Sequence, residues 1–163
     1  MLEAVSHKYF ETFFERCDRL IKPGGVMALQ FISIPDRRYD HYRKGHDWIR
    51  KHIFPGGELP SLAVVMEALA NQTCLNVQSV ENIGPDYALT LRDWRSRFMA
   101  GIDRVAGLGF DRSFQRKWVY CMAGCEACFA AGYLGDLQMV MVKSEIGYQP
   151  QATMRQIPSF PLC

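Results

Sequence analysis

The order of helical and extended patterns along the chain predicts an α/β fold. In four segments, apolar residues recur at spacings of three and four, which is the period of a helix with one buried face. Three shorter apolar runs lie between and after these segments and have the length of strands. The resulting order is helix, strand, helix, strand, two helices and strand. Such alternation is typical of a sheet with helices packed against it.

The first half of the chain holds two predicted helices and one predicted strand. Tyr9 to Ile21 form an amphipathic pattern of about four turns, which the Lys22-Pro23-Gly24-Gly25 sequence ends. Val26 to Ile34 is almost continuously apolar, and this is typical of a strand covered on both faces. Residues 35–60 are polar, aromatic and rich in turn residues, so no periodic element is predicted there. Ser61 is placed to cap a helix that runs to about Asn71.

The second half holds two strands and the two longest predicted helices. Leu75 to Ile83 alternates weakly and predicts a strand, which Gly84-Pro85-Asp86 interrupts. From Tyr87 to Val105 the apolar residues follow steps of three and four, which predicts a helix. Asp111 is placed to cap a further helix that runs to about Gly132. Leu137 to Val142 predicts a final strand.

Length and composition are those of one globular domain. The chain has 163 residues, of which 48% are hydrophobic and 22% charged, with a formal net charge of +2. These values exclude a collagen-like chain and a disordered acidic one. The 10 Phe, 7 Tyr and 3 Trp residues predict a sizeable apolar interior or pocket. Residues 144–163 contain three prolines and no periodicity, which predicts a loose tail. The longest apolar run is too short to span a bilayer.

The six cysteines predict free thiols in a reducing, intracellular compartment, because no basic and then apolar leader opens the chain. Cys121, Cys125 and Cys128 have the spacing that holds a four-iron cluster in radical enzymes using S-adenosylmethionine. The same residues lie in line on a predicted helix, where small buried thiols act as packing groups. We favour packing and keep an iron–sulfur cluster as the alternative. A zinc site has even less support from the sequence, since no second cysteine pair is present.

A basic and aromatic stretch runs from Arg37 to His52. The stretch contains six basic residues and two acidic ones, and Tyr39, Tyr42 and Trp48 lie between the charged residues in the sequence. One interpretation is a surface that docks on anionic phospholipid. Others are binding to a nucleic-acid backbone and a solvated loop with local ion pairs. The residues proposed for the lipid surface are Arg37, Arg38, Arg43, Lys44, Trp48, Arg50 and Lys51.

Polar groups near strand ends predict a ligand site. Glu3, Gln30, Asp86 and Tyr87 are the candidates, because open α/β sheets bind ligands outside the carboxyl ends of their strands. Gln30 lies inside an apolar strand, and a buried amide needs hydrogen-bond partners. No glycine-rich phosphate loop is present, since the glycines at 24 and 25 follow a helix instead of preceding one.

Several strings of the sequence resemble one family of lipid-modifying enzymes. They are Met1–Val5, Leu20–Gly25, Asp47–Gly57, Leu59–Ser61, Asn82–Tyr87, Thr90-Leu91, Trp94 and Phe98. In this order they resemble the cyclopropane-fatty-acyl-phospholipid synthases and their mycolic-acid relatives, which are class I S-adenosylmethionine-dependent methyltransferases. The resemblance covers about residues 1–143, and Leu29–Tyr39 is similar to the plant and related bacterial branch.

The resemblance implies a reaction and a site. The family transfers the methyl of S-adenosylmethionine to a cis double bond of a phospholipid acyl chain, and a bound bicarbonate is the proposed base that lets the ring close. By resemblance, Glu3, Ile32 and Tyr87 belong to the bicarbonate pocket. Gln30 stands where the family has a histidine, and an amide can form hydrogen bonds but cannot titrate near neutral pH. Phospholipid then becomes the favoured partner of the basic stretch, over nucleic acid.

The resemblance also implies that part of the methyltransferase sheet is missing. We expect residues 1–143 to be the C-terminal half of a class I, Rossmann-like sheet with extra helices, and residues 144–163 to be a loose tail. The glycine-rich cofactor loop of the family lies before the segment that this chain matches. We therefore expect an inactive isolated chain, cytoplasmic and peripheral at the membrane, that pairs with a second copy or with the N-terminal half. The alternative is a non-catalytic remnant that partners a full-length synthase.

Overall fold

A three-stranded sheet lies at the centre of the fold. The computed structural model describes residues 2–45 and 47–145. The strands are β1 (Val26–Ser33), β2 (Leu75–Asn82) and β3 (Gly135–Lys143), in the order β1-β3-β2. Both outer strands run antiparallel to β3, and so they run parallel to each other. All three strands predicted from the sequence are confirmed. From residue 146 onward, the predicted tail lies outside the described residues.

Seven helices accompany the sheet within the described ranges. They are α1 (Phe10–Leu20), α2 (Asp36–Lys44), α3 (Trp48–His52), α4 (Leu62–Gln72), α5 (Gly84–Ala100), α6 (Ile102–Gly107) and α7 (Arg112–Ala130). Two short 3-10 turns, Leu2–Ala4 and His7–Tyr9, precede α1. None of these helices combines the length and the apolar character needed to cross a membrane.

The predicted caps of two helices are confirmed. The Ser61 hydroxyl accepts a hydrogen bond from the Val64 amide at the start of α4. The Asp111 carboxylate accepts one from the Phe114 amide, 2.8 Å away, at the start of α7. Each cap satisfies an amide that the first turn of a helix leaves without a partner.

The sheet separates two apolar cores. The larger core lies between α1, α4 and one face of the sheet, and it is centred on Phe14, Phe31, Val65, Met139 and Met141, all 1% exposed or less. The smaller core lies on the opposite face, where α5 and α7 pack together around Ala88, Leu91 and Phe129. Ile32 and Tyr87 pack against this smaller core.

The prediction that the first strand is covered on both faces was wrong. Burial alternates along β1: Phe31 and Ser33 are buried, whereas Val26, Ala28 and Gln30 are exposed. Helices α1 and α4 cover the first face, but on the opposite face the packing of α5 and α7 reaches only Ile32 near the end of β1. Val26 and Ala28 therefore face outward, whereas Met27 and Leu29 pack against the larger core.

Two helices in the polar segment 35–60 were missed. Helix α2 is strongly polar and buries only Tyr39. Helix α3 has five residues and begins at an Asp47 cap. Neither carries the apolar periodicity that predicts a helix. The fifth helix begins at Gly84, earlier than predicted, because Pro85 fits the first helical turn, and Gly101 separates α5 from α6.

Candidate functional site

The candidate site lies at one edge of the sheet, where β1 and β2 end and β3 begins. Register places Ile32 opposite Asp136 and Gln30 opposite Gln138. At the end of β2, the Asn82 side-chain oxygen accepts hydrogen bonds from the amides of Gly84, at 2.9 Å, and Asp136, at 3.2 Å. This edge is where open α/β sheets bind their ligands.

Glu3 reaches this edge from the first 3-10 turn. Its Oε1 accepts a hydrogen bond from the Ile32 amide at 2.6 Å. Its carbonyl oxygen accepts another from the Glu58 amide at 2.7 Å, which fixes the turn against the segment before α4. Burial raises the pKa of Glu3, but the positive amino terminus of the chain and then the hydrogen bond from the Ile32 amide outweigh burial, so that the pKa is lowered. Glu3 is therefore a carboxylate at neutral pH.

Gln30 is held by two side chains of β3. Its Nε2 donates to Asp136 Oδ2 at 2.8 Å, and its Oε1 accepts from Gln138 Nε2 at 3.2 Å. The residue as a whole is exposed, in contrast to the buried amide predicted from its apolar neighbours. Opposed donor and acceptor partners set the orientation of the amide group.

Tyr87 closes the site from the first turns of α5. Its ring meets Phe129 edge to face with 4.9 Å between ring centroids, and meets Trp94 in the same manner at 6.1 Å. Burial raises the pKa of the Tyr87 hydroxyl, and the charge of Asp136 is the largest of several that add to the rise, Glu3 among them. The structure thus brings Glu3, Gln30, Ile32 and Tyr87 to one place, whereas Asp86 is exposed on the first turn of α5.

Asp136 is the site residue that the sequence analysis missed. It is only 2% exposed, and burial raises the pKa of its carboxyl; the charge of Glu3 raises it further, while the Gln30 hydrogen bond opposes the rise. A Cβ on the preceding Gly135 would come within 2.8 Å of Ser33 Oγ, so β1 and β3 approach closely here. A lone acid between a glycine and an apolar strand could have indicated this role.

Two amides of the candidate site already donate to carboxylates. The Ile32 amide donates to Glu3, and the Gln30 amide donates to Asp136. An anion here would compete with two carboxylates for these donors and would add a third negative charge to a partly dry site. The second N–H of the Gln30 amide and the Tyr87 hydroxyl are not used in these two bonds and remain as donors.

The described residues also contain no glycine-rich turn of the kind that cradles a nucleotide-like cofactor. Four glycines have left-handed backbones, and none of them stands between a strand and the helix that follows it: Gly24, Gly56, Gly109 and Gly132. Cofactor cradles in α/β sheets occupy that kind of turn.

The basic stretch divides into inward and outward cations. The Arg38 guanidinium lies 3.8 Å from the centre of the Tyr133 ring. Arg50 Nη1 donates to the carbonyl oxygens of Tyr42, at 3.0 Å, and Gly45, at 2.7 Å. These two cations hold the segment together. The other four predicted cations are exposed: Arg37, Arg43, Lys44 and Lys51.

An open groove of about 1160 Å³ continues this surface along α7. We call it the α7 groove, and its lining comprises Trp48, Met99, Ile102, Arg112, Ser113, Gln115, Arg116, Lys117, Val119, Tyr120 and Ala123. Trp48 and Tyr120 meet edge to face with 4.5 Å between ring centroids. The groove therefore combines apolar and aromatic side chains with three cations of α7.

The three cysteines of α7 lie along one helix. Cys121 is buried, and Cys125 and Cys128 are half-buried. The hydrogen bond with Cys121, and then burial, raise the pKa of the Cys125 thiol, which favours the neutral form. Among residues 2–45 and 47–145, no group of three or more His, Cys, Asp or Glu side chains could hold a metal ion. The geometry supports packing and gives the iron–sulfur alternative no site there.

Comparisons with known proteins agree on one family. The family model described as mycolic acid cyclopropane synthetase matches residues 1–139. A tuberculostearic acid methyltransferase of Mycobacterium tuberculosis is 39% identical over 143 residues, which are 88% of this chain and 34% of that protein. The cyclopropane-fatty-acyl-phospholipid synthase of Escherichia coli is 32% identical over 144 residues, which are 87% of this chain and 35% of the synthase.

A solved structure shares the fold. A mycolic acid cyclopropane synthase complexed with SAH and CTAB superposes with a TM-score of 0.78 at 27% identity, covering 87% of this chain and 52% of the synthase. The chain thus spans about a third to a half of the length of these relatives.

Proposed function

Since this chain belongs to the mycolic acid cyclopropane synthetase family, whose model matches residues 1–139, we propose that it forms the C-terminal part of a lipid methyltransferase domain. The family resemblance and the α/β methyltransferase fold predicted from the sequence are both confirmed. The proposed reaction is transfer of a one-carbon group from S-adenosylmethionine to the cis double bond of an unsaturated phospholipid acyl chain.

One observation carries this proposal: the convergence of Glu3, Ile32 and Tyr87 at the carboxyl end of β1. These residues come from a turn, a strand and a helix that are far apart in the sequence. The Glu3 carboxylate contacts the Ile32 amide, and Ile32 and Tyr87 pack against the same small core. A fold that only packed its core would not need an ionised carboxylate beside that core.

The surroundings of the site suit a cationic reaction. S-adenosylmethionine supplies an electrophilic methyl group, and its addition to an alkene leaves a positive charge on the acyl chain. The rings of Tyr87, Trp94 and Phe129 form a chain of edge-to-face contacts beside the site. Aromatic faces and a fixed carboxylate both stabilise a positive charge where water is excluded. The roles of this chain's residues are therefore to surround the acyl chain and to hold negative charge near it.

Phospholipid is the proposed substrate class because of the surface beside the site. Four exposed cations of the basic stretch suit anionic headgroups. Trp48 and Tyr120 in the α7 groove suit the interface between headgroups and acyl chains. We infer that the protein docks on a membrane by this surface and draws an acyl chain from it.

A lipid assay tests the proposed function. The 163-residue chain is incubated with S-adenosylmethionine and unsaturated phospholipid vesicles, alone and with the N-terminal half of the 39%-identical relative. Mass spectrometry is expected to find acyl chains that have gained one methylene in the second mixture. Absence of this product in both mixtures contradicts the proposal and favours the non-catalytic partner. That role is checked by co-purification with a full-length synthase.

The surface proposal predicts a strong effect of charge reversal on vesicle binding. In an Arg43→Glu, Lys44→Glu, Lys51→Glu variant, affinity for vesicles containing anionic phospholipid is expected to fall by at least about tenfold, because each cation contributes to surface attraction. Vesicle co-sedimentation at several salt concentrations measures the change, and salt should weaken wild-type binding.

A matched control separates the surface from net charge. Arg16, Arg19 and Lys22 are exposed cations on and just after α1, and changing all three to glutamate alters the net charge by the same amount. This control is expected to bind vesicles much more tightly than the first variant. Equal loss in both variants would refute a localised docking surface.

A further inference from the structure

The turn between α6 and α7 leaves two large apolar side chains exposed. Leu108 is 77% exposed and Phe110 is 44% exposed. Between them, Gly109 has a left-handed backbone, and a Cβ added to it would meet no atom within 4 Å. Single exposed apolar residues are common on protein surfaces, but here two share one turn, and the exposed Met99 lines the adjoining α7 groove. We call residues 108–110 the apolar tip.

The backbone amides of the apolar tip all have partners inside the chain. Each of the three donates to a carbonyl oxygen of α6, at 2.9–3.4 Å, and the Phe110 carbonyl oxygen accepts from Gln115 Nε2 at 3.2 Å. A helix that ends at a left-handed glycine commonly packs the next residue, here Phe110, against itself, but it does not require a leucine at position 108. An amide without a partner would cost free energy near hydrocarbon, so this turn suits the boundary between lipid headgroups and acyl chains.

Cations without ion-pair partners surround the apolar tip. Residues 101–120 contain two acids, Asp103 and Asp111, of which Asp111 caps α7. The same residues contain four exposed cations, none of which forms an ion pair within the described ranges: Arg104, Arg112, Arg116 and Lys117. An apolar tip collared by free cations is complementary to an anionic bilayer, with hydrocarbon at the centre and phosphate around it. The cores of protein–protein interfaces are instead depleted of charged residues.

We propose that the apolar tip inserts Leu108 and Phe110 into the boundary between headgroups and acyl chains of an anionic phospholipid bilayer. The four surrounding cations then lie at the level of the headgroup phosphates. This inference rests on the proposed function for its partner, the membrane, and adds insertion of a defined turn to attraction by the basic stretch. Salt screens attraction between charges but not apolar insertion, so the tip keeps part of the binding at high salt.

The first test compares two exposed leucines by vesicle co-sedimentation. Leu108→Ser in the 163-residue chain is expected to lower affinity for anionic phospholipid vesicles by about tenfold or more, because a leucine side chain no longer leaves water. Leu20→Ser, at an 87% exposed position at the end of α1, is the control and is expected to bind within twofold of the wild type. Neither substitution changes the net charge, so an equal affinity of the two variants overturns the inference.

The second test measures depth instead of affinity. The chain is labelled with ¹³C-methyl leucine and mixed with bicelles of anionic phospholipid that carry a nitroxide on the acyl chain near the headgroup. The Leu108 methyl signals, identified by their absence from the Leu108→Ser spectrum, are expected to broaden, while those of Leu20 persist. Leu108 signals that stay as sharp as those of Leu20 contradict insertion, whatever the affinity of the chain.

These outcomes are distinct from failure of the proposed function. If no lipid product forms but Leu108 broadens and Leu108→Ser binds weakly, the proposed reaction fails and insertion stands. If product forms and Leu108→Ser binds vesicles like the wild type, the reaction stands and insertion fails. Analytical ultracentrifugation of both leucine variants tests the competing occupant, a second copy of the chain. Loss of a dimer in Leu108→Ser with unchanged vesicle affinity assigns the apolar tip to a contact between copies and overturns the inference.

Discussion

Glu3→Gln is expected to reduce methylene transfer by about 100-fold or more, while the chain keeps its fold. The positive amino terminus and the hydrogen bond from the Ile32 amide to Oε1 lower the pKa of Glu3, which keeps the carboxylate ionised. A glutamine oxygen can accept the same hydrogen bond, so the end of β1 should stay in place. The substitution removes only the negative charge that the site holds near the acyl cation.

Product formation and release of S-adenosylhomocysteine are measured in the active mixture. Circular dichroism before the assay shows whether Glu3→Gln has kept its secondary structure. Glu67→Gln removes a charge from the exposed side of α4 and is expected to leave turnover unchanged. Turnover of Glu3→Gln close to that of the wild type would mean that the carboxylate holds the first turn and has no part in the chemistry.

The helices and strands that could be predicted are those with one large buried face. In α1, the buried Phe10 and Phe14 recur four residues apart, and the larger core covers them. The spacing therefore records the packing directly. Ser61 and Asp111 could be predicted as caps for a similar reason, since a cap satisfies amides of its own helix and needs no distant partner.

The features that could not be predicted depend on distant parts of the chain. Helix α2 forms although its sequence is polar, because distant contacts anchor it. Tyr39 is buried and shares a 2.7 Å hydrogen bond with His7, and the Asp36 carboxylate accepts one from the Ala63 amide at 2.8 Å. The sequence of β1 predicts burial on both faces, although one face is exposed at the start of the strand. This could not be foreseen, because no local pattern shows how far α5 and α7 extend over the sheet.

The residues of the candidate site also divide into those that the sequence predicts and those that only long-range contacts reveal. Glu3, Gln30, Ile32 and Tyr87 were predicted because they stand in motifs that resemble a family, and the structure brings them together. Asp136 stands in no motif, and its place at the site becomes visible only when β3 pairs with β1 and puts it beside Gln30. Strand register, which is a long-range property, decided which polar residues meet.

Phe129→Ala is expected to have the largest effect on stability. Phe129 is 2% exposed, belongs to the smaller core and meets the Tyr87 ring edge to face. Truncation of a buried Phe costs about 3–5 kcal/mol, because apolar burial is lost and a cavity remains. Urea unfolding followed by circular dichroism measures the change. Phe110→Ala, at a ring that is 44% exposed and stacks on Phe114, is the control, with an expected loss of about 1 kcal/mol.

A milder substitution at the same position connects stability to the site. Phe129→Leu keeps an apolar side chain in the smaller core, so roughly half of the loss in the alanine variant is expected. It still removes the ring that orients Tyr87, and turnover should fall in a preparation that remains folded. A folded Phe129→Leu with normal turnover would show that Phe129 supports only the core. Reduced turnover would show that the smaller core holds Tyr87 in its working position, which is the physical link between the packing of α5 and α7 and the chemistry at the sheet edge.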